Sequence, residues 1–433
     1  MTVRGAALLG VGAMVGAGIF ALLGEAGAVA GAAAWISFLL AGVVSVLIGY
    51  NVVKLGVRYP SSGGLFEYLL QGFGNGRLLG IAAWLGYMSA VLIVCSMCAV
   101  SFGDYAVSLF VSDGGADWWD NVFTSAIVVA MAAVVVVGPQ LVARAQSLIV
   151  FVMVGILAVF VAVTLPSIDL DKLSFSDYPP VSDIVASVAL TFFAYLGFSV
   201  ITFAAGDMRD PARDLPKAMN RALGVTTIVY VLVAISVFGT LTVGEVVRYG
   251  PTAIAEAGRP ALGDAGFTMI AVAAMVGMAG SVVATLYASA GLTGMLSDVG
   301  QFPSFFGRGS RLGAKSGVLI SAAVVLVVAN TVNLSAIASV GSACSLMIFV
   351  LVGVAGYRLR SATGASAAMI VVGVAATLVV LAFFAVDTFR NAPQTFTAIV
   401  VIAVLAVVLD VVWKRARGPL PAGPPEAEAA AGS

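Results

Sequence analysis

Four glycines within nine residues, in Gly10-Val-Gly12-Ala-Met-Val-Gly16-Ala-Gly18-Ile-Phe20, interrupt an otherwise apolar run. Each costs roughly 1 kcal/mol relative to alanine inside a helix, so the cluster predicts an unwound segment. In a lipid-like setting such backbone must be buried in protein or line a cavity. Its chemistry would be that of the main chain: free N–H groups where the second half-helix starts and free C=O groups where the first one ends. That pair suits a small zwitterion or an ion. A second, weaker interruption lies in Leu190-Thr-Phe-Phe-Ala-Tyr-Leu-Gly197-Phe-Ser-Val-Ile-Thr202, where one glycine stands among aromatics and is followed by Ser199.

Catalytic chemistry has little to work with. The chain has no histidine, no G-x-S-x-G and no H-E-x-x-H, so an intramembrane enzyme would lack both an activated nucleophile and a metal cluster, and no cofactor is expected. Cys95-Ser-Met-Cys98 has C-x-x-C spacing, but with no second pair there is no zinc set. Together with Cys344, these cysteines sit in apolar runs as small hydrophobes.

The elements that must position the two interruptions follow from composition. The chain is 61% hydrophobic and 10% charged over 433 residues, against about 25% charged in an average soluble domain. It reads as an all-α polytopic membrane protein. Runs long enough to span, at about 20 residues each, fall at 3–28, 33–57, 77–110, 121–138, 141–165, 182–205, 216–242, 265–297, 316–333, 335–357, 366–386 and 394–413. Twelve spans are expected. The first begins almost at Met1, and no cleavable leader is expected.

Charge placement supports that count. With the N-terminus inside, Arg4, Lys54, Arg58, Arg77, Arg144, Arg209, Arg213, Lys217, Arg221, Arg308, Arg311, Lys315, Arg358, Arg360, Lys414, Arg415 and Arg417 fall on one side, 17 of the 21 basic residues. Only Lys172, Arg248, Arg259 and Arg390 fall elsewhere, while Asp113, Asp117, Asp120, Asp169, Asp171 and Asp177 crowd the opposite loops. Basic residues accumulate on the cytoplasmic side, so both termini are expected there, in a plasma (inner) membrane. The zero net charge conceals this sidedness and gives no sign of nucleic-acid binding. Residues 417–433, rich in Pro, Ala and Glu, read as a disordered cytoplasmic tail. Tyr59-Pro-Ser-Ser-Gly-Gly64 and Gly72-Phe-Gly-Asn-Gly76 read as a structured loop, and residues 251–263 as a short external helix and turn that could act as a lid.

Spans one and six are the corresponding first helices of two five-span halves, and interrupted segments at matching positions mark a transporter site built on an inverted repeat. Gly16-Ala-Gly-Ile-Phe20, Tyr59-Pro-Ser-Ser-Gly-Gly64, Phe193-Ala-Tyr-Leu-Gly-Phe198 and Asp210-Pro-Ala-Arg-Asp-Leu-Pro-Lys-Ala218 together resemble the amino acid–polyamine–organocation permeases. The resemblance covers all twelve spans. It implies a leucine-transporter-type 5+5 inverted repeat with broken helices one and six: residues 1–165 as the first repeat, 182–357 as the second, 366–413 as two added helices, and alternating access as the mode of transport.

Carried over by that resemblance, the substrate carboxylate is expected on the amides of Ala17, Gly18 and Ile19, beside Gly16, and its ammonium on carbonyls of Met14, Val15, Phe193, Ala194 and Leu196, around Gly197. Phe193, Tyr195 and Phe198 are candidate gate or wall residues, or else plain packing between helices. Many members carry an acidic residue where this chain has Leu196 or Ser199. Without it, a cationic side chain would have no partner, so neutral amino acids are the expected substrates. In proton-coupled relatives a lysine of span five reaches the first break; here that position is Met153. Sodium would need carbonyls near Gly12 and Val15 plus hydroxyls of Ser281 and Thr285, although such hydroxyls also bond back to their own helix. Glu25, Asp104 and Asp207 are the acidic candidates for a proton relay, with hydrated surface charge as the alternative. A transporter of an inorganic cation such as potassium, or of another small organic solute, is the competing expectation.

Overall fold

The computed structural model describes residues 2–111, 118–307, 312–313, 315–331 and 334–417; the expected tail, Arg308, Arg311, Asp113 and Asp117 lie outside the described residues, as do the side chains of Ala17 and Asp207. The helices in chain order are α1 (Val3–Ala30), α2 (Ala34–Arg58), α3 (Leu65–Phe73), α4 (Arg77–Gly86), α5 (Val94–Phe110), α6 (Trp118–Val137), α7 (Pro139–Thr164), α8 (Val181–Phe193) and α9 (Val200–Phe203). They continue as α10 (Pro211–Thr240), α11 (Val243–Tyr249), α12 (Ala253–Glu256), α13 (Arg259–Asp298), α14 (Lys315–Ala329), α15 (Leu334–Arg358), α16 (Arg360–Thr363), α17 (Ala367–Asn391) and α18 (Pro393–Arg417).

Among the described residues nine helical runs are long and apolar enough to cross a membrane, or ten with the bent pair Val181–Phe193 and Leu196–Phe203. One of them, Val3–Arg58, holds both α1 and α2, parted by the 3-10 turn Gly31–Ala33, where Gly31 takes φ 55°. The stretch at 316–333 forms α14, only 15 residues long, shorter than the roughly 20 that a straight crossing needs. Local signals set the ends. Thr242 and Glu245 form a reciprocal capping box that starts α11, and Asp210 caps α10 ahead of Pro211. The short helix expected in 251–263 is α12.

The first interruption differs from expectation. α1 runs unbroken from Val3 to Ala30, and none of Gly10, Gly12, Gly16 and Gly18 takes a positive φ. The physical reason lies across the helix surface. A methyl on Gly10 would strike Ile201, one on Gly12 the Gln146 amide, one on Gly16 the Gly277 carbonyl, and one on Gly18 the Tyr230 hydroxyl. The glycines let neighbouring backbones and polar groups approach α1 closely, as small residues do in membrane helix packing. Helix α1 is thereby the central strut, packed on α8, α10 and α13.

The second interruption is present. α8 ends at Phe193, Ala194–Tyr195 turn, and the 3-10 segment Leu196–Ser199 leads into α9 at a bend of 41°. Gly197 lies directly on α1: its Cβ would come within 2.5 Å of the Ala13 carbonyl carbon and the Met14 nitrogen.

This packing predicts the sign of two glycine replacements. Gly16→Ala must displace the Gly277 backbone and should destabilise by about 1–3 kcal/mol, as overpacking does. Gly155→Ala in α7 meets nothing within 4 Å and should stabilise by up to about 1 kcal/mol. Thermal unfolding of the purified protein in detergent reads both; equal shifts would refute the close-packing role of Gly16.

Candidate functional site

At the bend, a cavity of about 40 Å³ lies between six elements. Its wall includes Ala13 of α1, Leu196, Gly197, Ser199 and Val200 at the bend, Val94 of α5, Thr285 of α13, and Ser345, Ile348 and Phe349 of α15. Leu65 and Phe66 close it from α3. No charged side chain is on this wall. The polar groups it offers are hydroxyls and the backbone of the bend.

Two of the three wall hydroxyls, those of Ser199 and Ser345, are set by local bonds. Ser199 Oγ donates to the Leu196 carbonyl at 2.8 Å, and Thr202 Oγ1 to the Ser199 carbonyl at 2.6 Å, so these hydroxyls bond back onto the carbonyls of their own preceding turn. Ser345 Oγ lies 2.6 Å from Ser89 Oγ, which also donates to the Gly341 carbonyl at 3.1 Å. Ser89 belongs to a π-helical segment, Tyr87–Ile93, joining α4 to α5. Such segments occur often at functional sites, and no pattern in the sequence announced this one.

Of the residues expected at the site, Leu196, Gly197, Ser199 and Thr285 reach the cavity. The aromatic candidates do not line it. Phe193 packs against Gly341 and Ile93, and Tyr195 donates its hydroxyl to the Phe38 carbonyl at 2.9 Å. Phe198 rests on Phe349 with ring centroids 5.2 Å apart. Phe349, on the wall, was not expected from sequence.

The carboxylate cradle expected on α1 is a correction. Ala17, Gly18 and Ile19 lie inside a continuous helix, so their amides belong to its i→i−4 ladder; Gly16 and Val15 are likewise within it. The expected ammonium carbonyls of Met14 and Ala194 do converge, but on Tyr230 of α10. Its hydroxyl is 2.5 Å from the Met14 oxygen and 3.0 Å from that of Ala194. A lone tyrosine in the seventh apolar run carried no signal in the sequence.

The coupling candidates scatter. The Met153 thioether packs onto Gly277, next to Gly16. Ser281 Oγ donates to the carbonyls of Gly12 at 3.0 Å and Ala13 at 3.3 Å, which brings two of the expected sodium ligands, the Ser281 hydroxyl and the Gly12 carbonyl, together. Beside them the buried Gln146 amide has no hydrogen-bond partner among the described residues. Glu25 and Asp104 are half-buried near the far ends of α1 and α5, where the Tyr105 hydroxyl donates to the Pro251 carbonyl at 2.5 Å. The backbone of Asp207 ends the 3-10 turn Ala205–Asp207. No group of three or more Cys, Asp or Glu that could hold a metal occurs among the described residues.

Tight packing flanks the cavity along the bundle. On the side bearing Lys54 and Arg58, Gly64 at φ 56° seats the 59–64 loop against the Phe203 ring, while Gly63 meets Met295. On the other, Gly24 abuts Gly250 and Gly27 abuts Phe238.

Comparison with known proteins places this architecture. The family model described as amino acid permease matches residues 2–414. The chain is similar to the inner membrane transport protein YbaT of Escherichia coli K12, at 28% identity over 94% of each chain. It is similar to the methylthioribose transporter of Bacillus subtilis, at 27% identity over 82% of this chain and 79% of that one. It also resembles the branched-chain amino acid permease BcaP of Bacillus subtilis, at 27% identity over 54% of this chain and 53% of that one. A helical bundle with nine or ten apolar spans, a bent helix packed on a glycine-rich one and a cavity at that bend agree with this match from residue 2 to residue 414: the chain belongs to the amino acid permease family, and is a membrane transporter rather than an enzyme.

Proposed function

We propose that this protein is a secondary active transporter of neutral amino acids, working by alternating access across the plasma (inner) membrane with both termini cytoplasmic. The observation that carries the substrate class is the cavity wall: apolar side chains and the hydroxyls of Ser199, Thr285 and Ser345, with no carboxylate. A cationic side chain held there would be desolvated without a partner. A neutral side chain can pack on Leu196, Ile348 and Phe349. The same wall disfavours an inorganic cation, which gains from a buried carboxylate or a cage of free carbonyls. The relative whose name gives methylthioribose supports a second reading, another neutral organic solute on this fold.

In this proposal residues 1–165 and 182–357 are the inverted repeats, residues 366–413 are added helices, and twelve segments cross the membrane, α14 being the shortest. The bend between Phe193 and Val200 provides the moving joint. The space at the bend, about 40 Å³, is a few times the roughly 10–15 Å³ that a water needs, so all but the smallest substrates require α9, α15 or α3 to move apart.

Uptake of a labelled panel into proteoliposomes, under a proton gradient, a sodium gradient, an internal amino acid load or none, should show saturable entry of neutral amino acids and little of lysine or arginine. Methylthioribose or potassium entry without any amino acid uptake would overturn the substrate assignment. Gly197→Ala drives a methyl into the α1 backbone. It should lower uptake by about tenfold or more, the effect of an overpacking cost near 1.4 kcal/mol. Full uptake in that variant would dissociate the bend from transport.

A further inference from the structure

Arg4 and Arg221 are the last charges before two apolar runs: α1 carries none from Gly5 to Gly24, and α10 none from Ala222 to Thr240. Both arginines therefore stand where the chain passes from water into hydrocarbon. With Thr2, Val3, Arg209 and Asp214 they line a depression of about 670 Å³, formed by the start of α1, the segment after α9 and the first turns of α10. None of the three arginines, nor Asp214, makes an ion pair among the described residues. The Gly5 amide donates to Thr2 Oγ1 at 3.2 Å, while the amides of Val3 and Arg4 in the same first turn have no helical acceptor. Three guanidinium groups and the positive end of a long helix thus face one space, opposed by a single carboxylate.

Guanidinium forks match the paired oxygens of a phosphate. The surface beneath the depression says what else the ligand carries. Val225, Ile228 and Leu232 lie four, seven and eleven residues after Arg221, within about 40° of one line down the helix. They are 43%, 62% and 36% exposed. From Arg221 to Leu232 the axis runs about 16 Å at 1.5 Å per residue, roughly half of a hydrocarbon core about 30 Å thick. That is the depth reached by an acyl chain of one leaflet. Arg144 supplies an internal control: it heads the exposed residues Leu148, Phe151 and Val159 of α7 but does not line the depression.

We propose that this depression binds the phosphate headgroup of an anionic phospholipid, with one acyl chain lying along Val225, Ile228 and Leu232. The headgroup bridges Arg4, Arg209 and Arg221, and so ties the first turn of α1 to α10. Asp214 lies in the same depression and opposes the anion. The site goes beyond the transport reading above and does not depend on which solute is carried.

Native mass spectrometry of the full-length protein, stripped of lipid in neutral detergent and titrated with dioleoyl phosphatidylglycerol, reads the affinity directly. The first phosphatidylglycerol should bind about tenfold more tightly than phosphatidylcholine with the same chains. Arg4→Gln and Arg221→Gln should each weaken it about fivefold, the worth of one basic residue at an anionic membrane surface. Asp214→Asn should strengthen it by a similar factor, and Arg144→Gln should leave it unchanged. Equal affinity for the two lipids, or an equal loss in Arg144→Gln and Arg221→Gln, overturns the proposal, the second result assigning the effect to the general charge of that side. Glycerophosphoglycerol, the same headgroup without chains, and inorganic phosphate separate a lipid from a free phosphate. Failure of both to displace the bound lipid at equal concentration supports the acyl track, whereas displacement by either overturns the lipid assignment in favour of a soluble anion.

Discussion

Every backbone group freed inside an apolar bundle needs a partner from the protein itself, and the bend after Phe193 is where this constraint bears hardest. Hydroxyls meet it. Tyr230 serves Ala194, just past the end of α8, while Ser199 and Thr202 bond back to the Leu196 and Ser199 carbonyls and brace the turns that follow. Because these bonds hold the bend in one shape, Gly197 can lie flat on Ala13 and Met14. That close approach requires α1 to be straight, narrow and well supported from behind, which the contact between Gly16 and Gly277 provides.

The same logic explains which features were legible in the sequence. Long apolar runs specify helices regardless of their partners, so most of the long helices and the short helix near residue 253 could be read directly. The bend at Gly197 was legible because aromatic and hydroxyl residues crowd a single glycine. The cluster in α1 carried an equally strong signal with the opposite outcome. Glycines weaken a helix on their own account but also admit neighbours. The neighbours that decide between these effects, Gln146, Tyr230 and Gly277, lie more than 100 residues away in the chain. No local pattern identifies them.

The cavity was half legible for a related reason. Leu196, Gly197 and Ser199 sit on the bend itself. Val94, Ser345 and Phe349 come from two other helices, and their orientation depends on the π segment Tyr87–Ile93 and on the pairing of Ser89 with Ser345. A π turn adds a residue to the helical repeat and rotates everything after it.

Energy coupling is constrained by the same packing. A cation brought to the junction of α1, α7 and α13 would meet Gly12 and Ala13 carbonyls that accept the Ser281 hydroxyl, so that proton would have to rotate away while the hydroxyl oxygen stays in place to ligate. Met153 fills the adjoining space against Gly277 with a side chain that neither titrates nor carries charge. A proton has no titratable group on the cavity wall to hold it. The nearest polar reserve is the Gln146 amide, buried beside Gly12 without a partner among the described residues, and an amide can orient a water or a carbonyl but cannot store a proton near neutral pH.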